Sequence, residues 1–215
     1  MESEVKKERE MYLGRIFLAF IISTAVFVMF FVFAYSVSYL NYQKLSKQAN
    51  VLDNSIKELG GAFENFSCDG RMLIKASETF DDAAQKLNLL EKRFGKSDER
   101  VLELKKRYSE LEYRHFKITK KFNEECGSGY VIVFFFYSNR DQGKEDESER
   151  MGYILTAFER EDADKIMIYA LDFDLKTALI DSLKGEYNIT RPPMIVVNEK
   201  DVFYVRNLRE LEKYL

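Results

Sequence analysis

Two cysteines, Cys68 and Cys126, and a single histidine, His115, are the side chains of this 215-residue chain best suited to redox or acid–base chemistry. A thiolate can act as a nucleophile, bind a metal or pair into a disulfide. So few cysteines and histidines cannot build a zinc cluster within one chain. Asp172 and Asp174 form a carboxylate pair, but two acids alone do not hold a metal, and Asp174 reads as a helix cap. Neither a phosphate-binding glycine loop nor a G-x-S-x-G elbow occurs. No cofactor is expected. Asn65-Phe66-Ser67 and Asn188-Ile189-Thr190 fit the glycosylation pattern, which has meaning only if they lie outside the cell. A net charge of −3 and a pI near 5.5 argue against the basic surface that nucleic-acid binding needs.

The placement of the cysteines depends on two helical stripes. Leu73, Ala76, Phe80, Ala83, Leu87, Leu90 and Phe94 recur at alternating steps of three and four. Gly95 offers a stop, and Ser97 offers a cap followed by acids in the first turn. Val101, Leu104, Tyr108, Leu111, His115, Ile118 and Phe122 repeat the same steps. Residues 67–126 therefore read as an antiparallel coiled-coil hairpin. In such a hairpin facing residues keep a nearly constant sum of residue numbers. Phe94 with Val101, Leu87 with Tyr108 and Leu73 with Phe122 obey this, and so do Cys68 and Cys126. The cysteines face each other at the open end, within reach of a disulfide. Two free thiols in a reducing compartment are the alternative. His115 falls on the seam, where it reads as a packed polar side chain or, less readily, as a pH switch.

Upstream, residues 16–43 carry no charged side chain. About 20 apolar residues suffice to cross the hydrocarbon core as a helix. Residues 16–40 read as a single transmembrane helix in the lipid bilayer, with Tyr12, Tyr35, Tyr39 and Tyr42 near its ends. The apolar run exceeds the core of a cleaved signal peptide, the competing reading. Lys6, Lys7, Arg9 and Arg15 precede it; Lys44, Lys47 and Lys57 follow. This bias makes residues 1–15 a short cytoplasmic tail and puts the C-terminal domain outside the cytoplasm. Leu45, Ala49, Leu52 and Ile56 extend the pattern into a juxtamembrane helix, 41–66, which Gly60-Gly61 is expected to break.

After Cys126 the pattern changes. Val131 to Tyr137 is a continuous apolar run, as in a buried central strand. A helix follows, with Met151, Ile154, Leu155 and Phe158 on one face. The remaining order is a strand over 165–171, a helix after Asp174, strands over 194–197 and 201–205, and a closing helix over 208–215. Such an order implies an α/β domain with a parallel core and an antiparallel edge. Phe135-Phe136-Tyr137-Ser138, Leu171-Asp172-Phe173-Asp174 and Ile189-Thr190-Arg191-Pro192-Pro193-Met194 carry a resemblance. Residues 129–215 resemble the thioredoxin-like fold family, in which a cis-proline precedes an apolar strand. Pro193 takes that position. The fold class is thus an α/β thioredoxin-like C-terminal domain preceded by a transmembrane helix and an antiparallel helical hairpin.

The departure from the family is chemical. Its enzymes carry Cys-x-x-Cys where the helix after the first strand begins. Here Asp141 and Lys144 stand at those positions, and residues 127–215 contain no cysteine. The resemblance then implies a redox-inactive domain that keeps a groove for extended peptide, lined by Tyr137, Arg140, Asp141, Lys144, Arg191 and Pro193. The expected function is a membrane-anchored interaction module for an unknown protein or peptide partner, with self-association through residues 43–59 a further option. The alternative is a membrane-tethered thiol–disulfide oxidoreductase, or redox partner, that cycles Cys68 and Cys126.

Overall fold

The computed structural model describes residues 2–64, 66–140 and 142–215, without the side chains of residues 2–14, 45 and 62. Two compact units divide the chain, Met1–Lys47 and Gln48–Leu215. Helix α1 (Glu2–Glu64) supplies the first and continues into the second.

In the first unit α1 is apolar on every face from Ile16 to Leu40, and these side chains are exposed. Thr24 and Ser36 donate their hydroxyls to carbonyls one turn back, Phe20 O at 2.9 Å and Val32 O at 2.8 Å. This satisfies polar groups internally, as hydrocarbon surroundings would demand. The segment is long and apolar enough for a membrane span or a signal sequence.

The end of α1 belongs to the second unit, where Leu52, Ile56 and Leu59 are buried. Gly60-Gly61 does not break the helix, contrary to the sequence-based expectation. Packing offsets the roughly 1 kcal/mol that each helical glycine costs. A Cβ at Gly60 would come within 2.9 Å of Arg114 Nη1, the tip of a flexible side chain that can give way.

Helix α2 (Gly70–Phe94) starts from Asp69, whose carboxylate accepts the Arg71 N–H, and ends at Gly95 with φ of 95°. Helix α3 (Glu99–Cys126) starts from Asp98, one residue beyond the expected Ser97 cap, and ends at left-handed Gly127. Leu73, Ala76, Ala83, Leu87 and Leu90 bury one side of α2; Val101, Leu104, Leu111, Ile118 and Phe122 bury the matching side of α3. α3 also buries a second stripe, Lys105, Ser109, Glu112, Phe116 and Thr119. One helix is therefore buried on two sides.

The remaining elements are β1 (Val131–Tyr137), α4 (Gln142–Glu159), β2 (Ile166–Asp172), α5 (Ala178–Glu186), β3 (Met194–Val197) and β4 (Asp201–Phe203). Strand order is β2-β1-β3-β4. β1 pairs parallel with β2 and antiparallel with β3, and β4 pairs antiparallel with β3. One sheet face packs Phe134, Phe136, Tyr169 and Leu171 against Phe116 of α3 and Ile180 and Leu183 of α5. The other packs Val133 and Phe135 against Met151, Leu155 and Phe158 of α4 and against Val205 and Leu211. The central strand is thus covered on both faces, which explains its unbroken apolar sequence.

Some local details differ from the sequence reading. Thr177, not Asp174, caps α5, its hydroxyl accepting the Ile180 N–H at 3.1 Å. The expected closing helix is two short 3-10 turns, Leu208–Glu210 and Glu212–Tyr214. The β3–β4 connection is tight because Asn198 and Glu199 both take positive φ, 50° and 58°. The Pro192–Pro193 peptide bond is cis.

Candidate functional site

Cys68 and Cys126 form a disulfide with a Cα–Cα distance of 5.7 Å. It joins the segment before α2 to the last residue of α3, where the matched stripes of the hairpin set the two cysteines opposite each other.

The carboxyl ends of β1 and β2 bring together most of the polar side chains near the proposed groove, the place where open parallel sheets present ligand sites. Ser138 donates its hydroxyl to Asp174 Oδ2 at 2.5 Å, and its N–H to Ser148 Oγ at 3.1 Å. The Arg140 N–H points at Ser138 Oγ, 3.3 Å away, and its guanidinium lies beside Asp174. Asp172 Oδ1 accepts the Asp174 N–H at 3.0 Å. These contacts explain why Asp174 is not a helix cap: its carboxylate is committed to the end of β1.

The hairpin contributes a buried cation to the same end of the sheet. Lys105, 3% exposed, reaches Glu91 at 2.7 Å and Asp172 at 3.1 Å. Its ammonium stands 5.7 Å from the Tyr137 ring. Burial first, then the charges of Asp172, Glu91 and Glu112, pushes the Tyr137 phenol well up, so it stays a neutral hydroxyl. Glu112 is fully buried; one carboxyl oxygen accepts the Ala170 N–H at 2.8 Å, and the other has no partner among the described residues. Burial pushes its pKa well above the carboxylate range. A cavity of about 150 Å³ is lined by Glu112, Lys105, Tyr108, Tyr137, Asp172 and Glu91, among others.

A second cleft, about 350 Å³, runs between the hairpin turn and the strand ends and includes Lys96, Lys106, Asn139, Arg140, Asp174 and Lys176. Lys96 bridges the turn to α4 through Glu145 at 2.8 Å and Glu149 at 3.3 Å. Tyr137 and Arg140 thus face different cavities. Lys144 and Arg191 are exposed, and Pro193 is buried immediately before β3. Asp141 lies outside the described residues, as does Asn65 of the first glycosylation motif.

His115 is buried. Its Nε2 lies 3.0 Å from Ser77 Oγ and its Nδ1 lies 2.8 Å from the Tyr169 hydroxyl, which also meets Thr119 Oγ1 at 3.0 Å. Burial lowers its pKa to about 4. A serine beside a histidine suggests a nucleophile and its base. A phenol takes the place of the carboxylate that would hold the imidazole basic, and the low pKa makes it a poor base at neutral pH. No cluster of potential metal ligands occurs among the described residues.

Lys105, Glu112 and the His115 partners were not singled out from sequence. Their signal is present: Lys105, Ser109, Glu112, Phe116 and Thr119 step by four and three, like the apolar stripe beside them. Polar residue types hid the second buried face. No family model matches the chain, and no curated protein matches its sequence.

Proposed function

We propose that the chain is a membrane-anchored, redox-inactive thioredoxin-like interaction module. Its C-terminal domain lies outside the cytoplasm and presents a protein- or peptide-binding surface. The observation that carries this reading is the β2-β1-β3-β4 order, with Pro193 directly before β3. The cysteines support the redox-inactive part. Both are consumed in one disulfide at the foot of the hairpin, while the end of β1 carries Ser138, Asn139 and Arg140. The apolar run of α1 supplies the anchor. Arg140, Lys144 and Arg191 are the exposed surface offered to a partner, with Tyr137 and the buried Pro193 behind them.

The test has two arms on the full-length protein. In thiol–disulfide exchange with a disulfide-bonded peptide, the wild type should be no faster than the Cys68→Ser/Cys126→Ser variant. Turnover that depends on the cysteines would favour the oxidoreductase. In intact cells, a photo-crosslinking residue at Arg140 or Arg191 should trap a discrete partner that the same residue at exposed Glu110 does not. Equal trapping at all three positions would remove the binding surface.

A further inference from the structure

β2 is an edge strand. Val131 N–H donates to Lys165 O and Phe173 N–H to Tyr137 O, each at 2.8 Å, in a register pairing Val131 with Ile166. In a parallel ladder this turns the backbone groups of 165, 167, 169 and 171 toward β1. Those of 166, 168, 170 and 172 point outward. Part of that outer edge is covered. Ala170 N–H is taken by Glu112, and Ile166 N–H bonds to Asp162 O at 3.0 Å. Between them, the Ile168 N–H and the carbonyls of Ile166 and Ile168 have no partner among the described residues. Such an edge is a template for another strand.

A cleft of about 290 Å³ lies along this edge, with α2 as its far wall. Leu73, Phe80 and Met167 give it an apolar lining. Every charged side chain lining it is acidic: Glu78, Asp81, Glu159 and Asp164. Two of them are held there at a cost, and burial raises the pKa of Asp81. Burial and then the charge of Asp81 raise the pKa of Glu159.

We propose that the open edge of β2 takes up an extended basic segment of a partner protein, which adds as a strand at Ile168 and sets cationic side chains against Asp81 and Glu159. An extended segment alternates its side chains, so one set can enter the apolar lining while the other meets the acids. A second copy of β2 is a poorer occupant, because it would bring the same acids with it. This edge is separate from the surface at Arg140 and Arg191, so the two readings stand or fall independently.

The probe is a short fluorescent peptide alternating lysine and valine, titrated into the full-length protein in detergent and followed by anisotropy. Binding is expected, weakening as salt rises. A glutamate–valine peptide, and a lysine–valine peptide methylated on alternate amides, should fail. Asp81→Asn with Glu159→Gln should weaken binding roughly tenfold with the melting temperature kept. Should that variant fold poorly, amide exchange on the wild type decides: bound peptide should slow the Ile168 amide. No binding, equal binding of the methylated peptide, an unchanged Ile168 amide, or self-pairing of the chain through β2 would each overturn the proposal.

Discussion

His115 carries a testable consequence of being buried neutral. Its pKa is about 4 in the fold against 6.5 unperturbed, so the unfolded chain binds its proton first on acidification. Its contribution is complete above about pH 6.5 and is lost as pH falls towards 4. The loss should total ~3 kcal/mol, read as the difference in denaturant stability between wild type and His115→Gln across that range. An identical pH profile for the two proteins would show the imidazole to be solvated. Glu112 has the opposite sign. Its pKa is raised by burial, so the fold favours its protonated form below the unfolded value near 4.5, and that advantage is lost as pH rises. Glu112→Gln should therefore be more stable than wild type at neutral pH, with the gain vanishing below pH 4.5. A destabilised variant at neutral pH would mean that Glu112 is ionised and partnered. The presence of His115 on the seam was legible from its spacing. Its role was not, because Ser77 and Tyr169 come from another helix and a strand.

At the scale of elements, the hairpin is held by its disulfide and by its buried charges. The bond closes a separation of 58 residues. Replacing both cysteines by serine should cost about 4 kcal/mol in unfolding free energy on the chain-entropy model. A loss below ~1 kcal/mol would mean that helix packing alone confines the unfolded hairpin. Lys105→Met removes the cation between Glu91 and Asp172. It should cost roughly 3–5 kcal/mol, because Asp172 would be left buried without its counter-charge. The apolar stripes of α2 and α3 and the pairing of Cys68 with Cys126 were readable, since helical periodicity fixes both register and facing residues. So were β1, β2 and β3, which are largely apolar runs, whereas β4 ends at Phe203, short of the expected Val205. The continuation of α1 through Gly60 was not readable, because the burial of Leu52, Ile56 and Leu59 that holds it is a tertiary fact. Nor was the Thr177 cap: Asp174 is an equally good cap by type, and only Ser138 and Arg140 explain why it serves elsewhere. The groove residues named from the resemblance are dispersed. Tyr137 and Arg140 face separate cavities, and the hairpin turn reaches α4 through Lys96, a contact that strand order alone does not imply.

For the whole molecule, the apolar run of α1 and the disulfide bear on one question, which side of a membrane the domain occupies. The chain should remain with membranes after washing at high salt and high pH, since a segment of this length inserts through apolar area rather than charge. Release by either wash would make α1 a peripheral or cleaved segment. The most direct test is labelling of intact cells with a membrane-impermeant maleimide, with and without mild external reduction, read by gel shift. The expected result is labelling of Cys68 and Cys126 only after reduction, which places a closed disulfide and its domain outside the cytoplasm. Labelling that requires lysis and no reductant would put free thiols in the cytoplasm, and would contradict both the staple and the extracytoplasmic binding module.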